Sequence, residues 1–557
     1  MGRRRDADDG VFTFEIVPGD GHDPRRSAPE AADLPDGGAA VVHLERVEPD
    51  PEPEAGPARG PRTPHAQRWL VAVLVLVLGA VGAVAIDVVG DRNRAAALRV
   101  ASGGVLDLSR PPAVTWDVRA DDRAPGGLVA VMGGAAVIQR YDDLEGVDLD
   151  TGERRWSVRL PDRTSECGGG YGLWDQRARI VPSRLLVCLS GRAEERTVVV
   201  VDAEGGVVSR RPLEVADDLV RPAPHGAVVT ASWVGQASEP DVGLTGDPAA
   251  GDVQVDGEIA DGYDAEVRLL DAVTGEVRWE RMVEFEPVLD GYRCVEYTNG
   301  GRDAEVDLRG ELRVASAGDL LWVFGCGIDA WFTPAGERLE VVAGVGPSSH
   351  GAAVRALDGG GYVGSATGGR VGSVPEGDRL LGRDGQVRRE LGGHLLVPRA
   401  SDGGRGGVHL VRVGDETHAV DDEGRVLWVR GTRVVALLAQ AGGIAVVTDA
   451  LGRVAGLDLD TGREIWSHDD LLADVEGERV WGSVSDRVQS VFTDGRRMAL
   501  VWPALDQEQI AAHWAAVDVA TGELVWTSML EHDAWGIDLA ADGRLLRWSP
   551  TAIVGLG

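Results

Sequence analysis

Leu457-Asp458-Leu459-Asp460-Thr461-Gly462-Arg463-Glu464-Ile465-Trp466 decides the fold. Apolar–polar alternation runs into Asp458, a Thr-Gly turn follows, and a second short run ends in tryptophan. Alternation with a period of two reads as a half-buried strand. An aspartate carboxylate can accept bonds from the N–H groups of a turn, and glycine supplies the positive φ. The stretch therefore reads as a β-hairpin whose second strand carries a large ring for packing on a neighbour. The pattern recurs with Asp148, Gly152 and Trp156, with Asp271, Gly275 and Trp279, and with Asp518, Gly522 and Trp526, alongside Asp458, Gly462 and Trp466. Decayed copies centre on Gly205, Gly336, Gly385 and Gly424. Trp occurs 16 times against six Tyr and six Phe, which ties it to the repeat.

The eight turn glycines lie 38 to 70 residues apart. A four-stranded propeller blade needs about 40–50 residues. Two more strand-like runs precede each turn, as in Gly127–Val131 and Ala135–Tyr141, with no amphipathic helix among them. The chain reads as an all-β propeller of about eight four-stranded blades over residues 105–557. Val114–Val118 is expected to pair with C-terminal strands around Leu545–Trp548 and close the ring.

The motif A-x-D-x-x-T-G-x-x-x-W resembles the pyrroloquinoline-quinone-like (PQQ-like) propeller repeat over residues 105–557. That repeat occurs in quinoprotein alcohol dehydrogenases and in the lipoprotein subunit of the outer-membrane assembly machinery. The resemblance implies the fold, and one fold hosts many activities. A quinoprotein would require a quinone pocket, a calcium ion, a catalytic aspartate and a disulfide between adjacent cysteines. Here the four cysteines are Cys167, Cys188, Cys294 and Cys326, none adjacent.

Composition narrows the chemistry. There is no lysine, so all 56 basic residues are arginine, against 90 Asp+Glu and a net charge of −34. Such a usage fits a GC-rich, actinobacterial kind of genome. Without lysine there is neither a P-loop nor Schiff-base chemistry. The acidic balance argues against nucleic-acid binding. Gly359-Gly360-Gly361-Tyr362-Val363-Gly364 matches G-x-G-x-x-G but lacks a following helix, so the dinucleotide context fails. The Asp148/Asp150 and Asp458/Asp460 pairs read as solvated turns in preference to calcium ligands. The histidines are dispersed, without metal-ligand spacing. The expectation is no catalytic constellation, no cofactor and no metal.

Residues 1–67 read as a disordered acidic tail, rich in Pro, Gly, Asp and Glu. Trp69–Ile86 carries no charge and would span ~27 Å as a helix, close to a membrane's hydrocarbon thickness. Residues 68–89 are therefore expected to cross a membrane, and 90–104 to be a linker. All four cysteines follow that run, which suggests a cytoplasmic N-terminus and an extracytoplasmic propeller. In the strand register of a propeller, Cys167 and Cys188 flank a strand pair, as do Cys294 and Cys326, so Cys167–Cys188 and Cys294–Cys326 are the expected disulfides.

Long insertions mark the candidate functional surface. Residues 239–264 hold Glu239, Asp241, Asp247, Asp252, Asp256, Glu258, Asp261 and Asp264 and no basic residue. Pro503–His513 and Tyr292–Arg309 are further long connections at the same end of the blades. Loops on a rigid scaffold are the usual place for recognition. The expected function is a membrane-anchored, non-catalytic scaffold that binds a basic or calcium-bridged envelope protein or peptide. Asp241, Asp247, Asp252, Asp256, Glu258 and Asp261 are its candidate contact residues, and deletion of 239–262 is expected to leave the fold intact. The alternatives are a PQQ-dependent dehydrogenase-like enzyme and a single-pass signalling protein.

Overall fold

The computed structural model describes residues 90–557 except 120–126, 163–164, 169–181, 193–194, 214–218, 249–251, 289–291, 299–302, 311, 340–353, 359, 365–376, 405–406, 470, 472–486, 504–510, 532–535 and 550. The expected tail (1–67), the apolar run Trp69–Ile86 and most of Pro503–His513 lie outside the described residues. No helix among the described residues is long and apolar enough to cross a membrane. The described helical residues 90–100 include Asp91, Arg92, Arg94 and Arg99, and eleven residues reach only about 16 Å. The single-pass topology expected from the sequence is corrected on that finding.

Among the described residues there are eleven sheets: two are two-stranded hairpins, and the other nine follow one another along the chain. Blade 1 spans 127–159, blade 2 166–212, blade 3 219–283, blade 4 313–332, blade 5 354–390, blade 6 394–430, blade 7 434–468 and blade 8 490–531. Blade 9 takes three strands from 537–556 and its outer strand, Val114–Arg119, from the other end of the chain. Val114 pairs with Leu556 and Arg119 with Ala552, antiparallel. The chain ends do meet in one sheet, but the partner of Val114–Arg119 is Ala552–Leu556, with Arg544–Trp548 one strand further in, and the blades number nine where eight turn motifs suggest eight. The ninth has no Thr-Gly turn because its last two strands come from opposite chain ends.

Buried apolar clusters join each blade to the next: blades 1–2, 2–3, 3–4, 4–5, 5–6, 6–7, 7–8, 8–9 and 9–1. The order of packing is cyclic, so the sheets form the ring of a β-propeller. No blade can bury its faces alone, and each is stabilised by two neighbours.

The repeat motif makes the junctions. The turn glycines 152, 205, 275, 336, 385, 424, 462 and 522 all have φ between 69° and 84°. Asp518 Oδ1 accepts the N–H of Ala520 at 2.9 Å and of Thr521 at 3.0 Å, and Asp148 holds Asp150 and Thr151 in the same way. The Trp of one blade then donates Nε1–H to a turn carbonyl of the next: Trp116 to Leu149, Trp156 to Ala203, Trp279 to Pro334, Trp428 to Leu459 and Trp466 to Val519, at 2.8–3.2 Å. A Cβ at Gly522 would lie 2.5 Å from the Trp466 ring, so the turn needs glycine for space as well as for φ. In the junctions between blades 2 and 3, 4 and 5, and 5 and 6, Arg211, Leu339 and Arg389 stand against the glycine instead.

Residues 90–104 are not a linker. Leu98 and Ala101 are buried, as are Val105 and Leu108 just beyond, and residues 101–106 lie against the turns between first and second strands of several blades.

Candidate functional site

Antiparallel order gives the ring two unlike faces. Turns between first and second and between third and fourth strands share one end, the turn face. Connections between second and third strands, and from blade to blade, share the other. The turn face carries the short Asp-x-x-Thr-Gly turns and the segment 94–108.

The opposite face carries a protrusion built from both connections around blade 3. Gly243–Asp247 pairs with Asp252–Asp256, and Val295–Thr298 pairs with Asp303–Val306. These two hairpins, referred to together as the arm, share a core of Val255, Ile259, Leu308, Cys294 and Cys326 with Leu244, Val295, Val306 and Phe285. Alternation then sends the polar residues outward. Asp247 stands directly opposite Asp252, and Glu296 opposite Glu305.

Three contacts fix the arm to the ring or to itself. Cys294 joins Cys326, with Cα atoms 4.6 Å apart. Arg293 Nη1 donates to Asp329 at 3.2 Å, and its guanidinium lies over Trp322 and Phe324 at 5.5 and 5.3 Å. Burial pushes the Asp329 carboxyl up despite the bonds from Trp322 and Arg293. Arg309 lies 4.3 Å over the Tyr263 ring and ties the two hairpins together.

The sequence-derived residues divide on this geometry. Asp241, Asp247, Asp256 and Glu258 are exposed on the arm, and Asp252 occupies its strand opposite Asp247. Asp261 is exposed but serves the fold: its Oδ2 accepts the Ser238 N–H at 2.9 Å and Oγ–H at 2.8 Å, bonds that hold the carboxyl below its ordinary value. Exposed Glu296, Asp303 and Glu305 of the second hairpin belong to the same surface. The sequence marked 292–309 as long but did not reveal that it folds against 239–264. Val255 and Ile259 lie in the shared core, so deletion of 239–262 would open it, contrary to the expectation of an intact fold. The other disulfide, Cys167–Cys188, joins directly opposed residues of the inner strands of blade 2.

A cavity of about 50 Å³ between blades 5, 6 and 7 is lined by Asp358, Asp402 and His409, far below the about 300 Å³ of a ligand pocket. Asp358 accepts from Ser102 Oγ, Asp402 from the N–H groups of Gly404 and Gly442, and His409 bonds Asp422. Tyr362–Gly364 of the G-x-G-x-x-G match is a strand, not a helix start. Among the described residues, no three His, Cys, Asp or Glu are grouped to hold a metal ion.

Ring, turn motif and closure define a β-propeller. Residues 88–294 match the family described as outer membrane protein assembly factor BamB. No curated protein matches. Among solved structures, the chain is similar to BamB from Moraxella catarrhalis, at 12% identity over 80% of this chain and 99% of that one, TM-score 0.32. It is also similar to the WD40 domain of SCAP from fission yeast, at 10% identity over 81% and 98%, TM-score 0.31. A third is quinohemoprotein alcohol dehydrogenase from Comamonas testosteroni, at 11% identity over 80% and 76%, TM-score 0.29. Superpositions of this quality carry no argument about activity.

Proposed function

We propose that this propeller is a non-catalytic binding module that presents its arm to a basic protein partner. The observation that supports this reading most is the asymmetry of the faces. The turn face is occupied by short repeats and by the chain's own segment 94–108. The other face bears a disulfide-fixed arm whose inner side is apolar and whose outer side is carboxylate. An acidic arm favours a partner that brings arginine or lysine, and such charge also steers association at low salt.

The test places a photo-crosslinking residue at Tyr297 or at Asp256 in native cells, with Thr274 and Glu523 of the turn face as controls. The reading expects one protein recovered from the arm positions and not from the controls, with recovery falling as salt is raised. Equal recovery from both faces, or none from the arm, overturns it. So does stoichiometric binding of pyrroloquinoline quinone with dye-linked alcohol oxidation.

A further inference from the structure

The closing blade lacks a third-to-fourth-strand turn, yet its neighbour still needs a socket for Trp526. In the other Trp junctions the ring N–H meets a turn carbonyl of the following blade. Here Trp526 Nε1 donates at 2.8 Å to the carbonyl of Leu108. Leu108 lies before the first strand of the ring, and its N–H in turn donates to Asp494 Oδ2 at 3.1 Å.

The residues leading to Leu108 are stitched across blades. Val105 N donates to Thr493 O, and Thr493 N to Gly103 O, both at 2.9 Å, on blade 8. Leu106 N donates to Gly543 O at 2.9 Å on blade 9. Ser401 N donates to Ser102 O at 2.7 Å, and Ser102 Oγ to Asp358 of blade 5 at 3.2 Å. Val105 and Leu108 enter the apolar cluster between blades 8 and 9 beside Phe492, Trp514 and Leu545. The bend that permits this is tight. Gly103 has φ +61°, and a Cβ at Gly104 would lie 2.2 Å from the Leu98 carbonyl oxygen.

We propose that residues 101–108 are a latch that holds the ring shut, supplying in cis the turn that the split blade cannot form. Closure then has two parts. Pairing of Val114–Arg119 with Ala552–Leu556 completes the sheet, and the latch completes the junction between blades 8 and 9. The junction between blades 8 and 9, for which blade 9 has no turn of its own, is the one the latch bridges.

The test is peptide-resolved hydrogen exchange on the full chain, native and with Gly104→Ala, using Val100→Ala at an exposed position as control. Gly104→Ala is expected to raise exchange about tenfold or more in blades 8 and 9, with blades 2 and 3 unchanged. Val100→Ala should match the native protein. Should Gly104→Ala fail to fold, the native chain in graded denaturant serves instead. The amides of Val105, Leu106 and Leu108 should then open together with those of Ala113 and Gly557. Uniform loosening of all blades in Gly104→Ala, unchanged exchange in blades 8 and 9, or a latch that opens at lower denaturant than the Ala113–Gly557 pairing would overturn the proposal.

Discussion

The turn face and the arm face are built from the same blades by opposite rules. On the turn face each residue of the motif answers to a neighbour: aspartate to its own turn, glycine to the preceding tryptophan, tryptophan to the next blade. On the arm face, length varies freely, and only the inner side of the two hairpins is constrained by packing. One face therefore carries the junction motif of the ring, and the other carries surface that the junctions do not use. The difference teaches that the many acidic residues of this chain are of two kinds. Those whose oxygens accept turn N–H groups brace the motif, and those exposed on the arm lie on its outer surface.

The largest test of that division is Trp279→Ala. Trp279 is 7% exposed and bonds the Pro334 carbonyl, so its loss should cost about 3–5 kcal/mol in denaturant unfolding. A cost below about 1 kcal/mol would mean that the junctions do not depend on the ring. Removing both Cys294 and Cys326 as serine should cost about 3 kcal/mol, read as early loss of protection in 243–256 and 295–306 while the blades hold. Simultaneous unfolding of arm and ring would erase the distinction between them.

Asp271→Ala removes an acceptor from the Val273 and Thr274 N–H groups and from Arg278, and should cost about 1 kcal/mol. Acid should act on the same groups together. Bonds from Thr461 hold the Asp458 carboxyl below its ordinary value. At Asp148 and Asp271, burial pushes upward, but bonds from Thr151 and Asp150 and from Arg278 and Thr274 outweigh it. With folded values below unfolded ones, the unfolded chain binds protons first. Their stabilisation is therefore complete above about pH 4 and lost as pH falls through the lower folded values. Thermal unfolding followed between pH 6 and pH 3 should show that loss, and a flat profile would contradict it. Neutralising Asp247, Asp256 and Glu258 as amides should shift unfolding by less than about 0.5 kcal/mol, since these side chains are exposed.

Much of the ring was legible because its motif is local. Asp458, Gly462 and Trp466 declare strand, turn and packing partner within ten residues, and the cysteine pairs followed from strand order. What escaped the sequence was non-local. The ninth blade has no turn motif, because Gly557 and Ala113 meet through space instead of along the chain. Residues 90–104 read as a linker because Leu98 and Ala101 follow no apolar period, their burial being set by contacts distant in the chain. The acidity of 239–264 was plain, but the role of Asp261 depended on Ser238, and the second hairpin depended on packing between segments about 40 residues apart.

The central claim is that binding resides on the arm and ring integrity on the turns. It is tested most directly by recovering the crosslinked partner of Tyr297 from two charge variants of equal size. One carries Asp241→Asn, Asp247→Asn, Asp256→Asn and Glu258→Gln. The other carries Asp150→Asn, Glu153→Gln, Glu276→Gln and Glu523→Gln on the turn face. Recovery should fall about tenfold or more in the first, as expected when several charge pairs are lost, and stay at the native level in the second. Equal recovery from the two variants, or a loss confined to the second, would contradict the account.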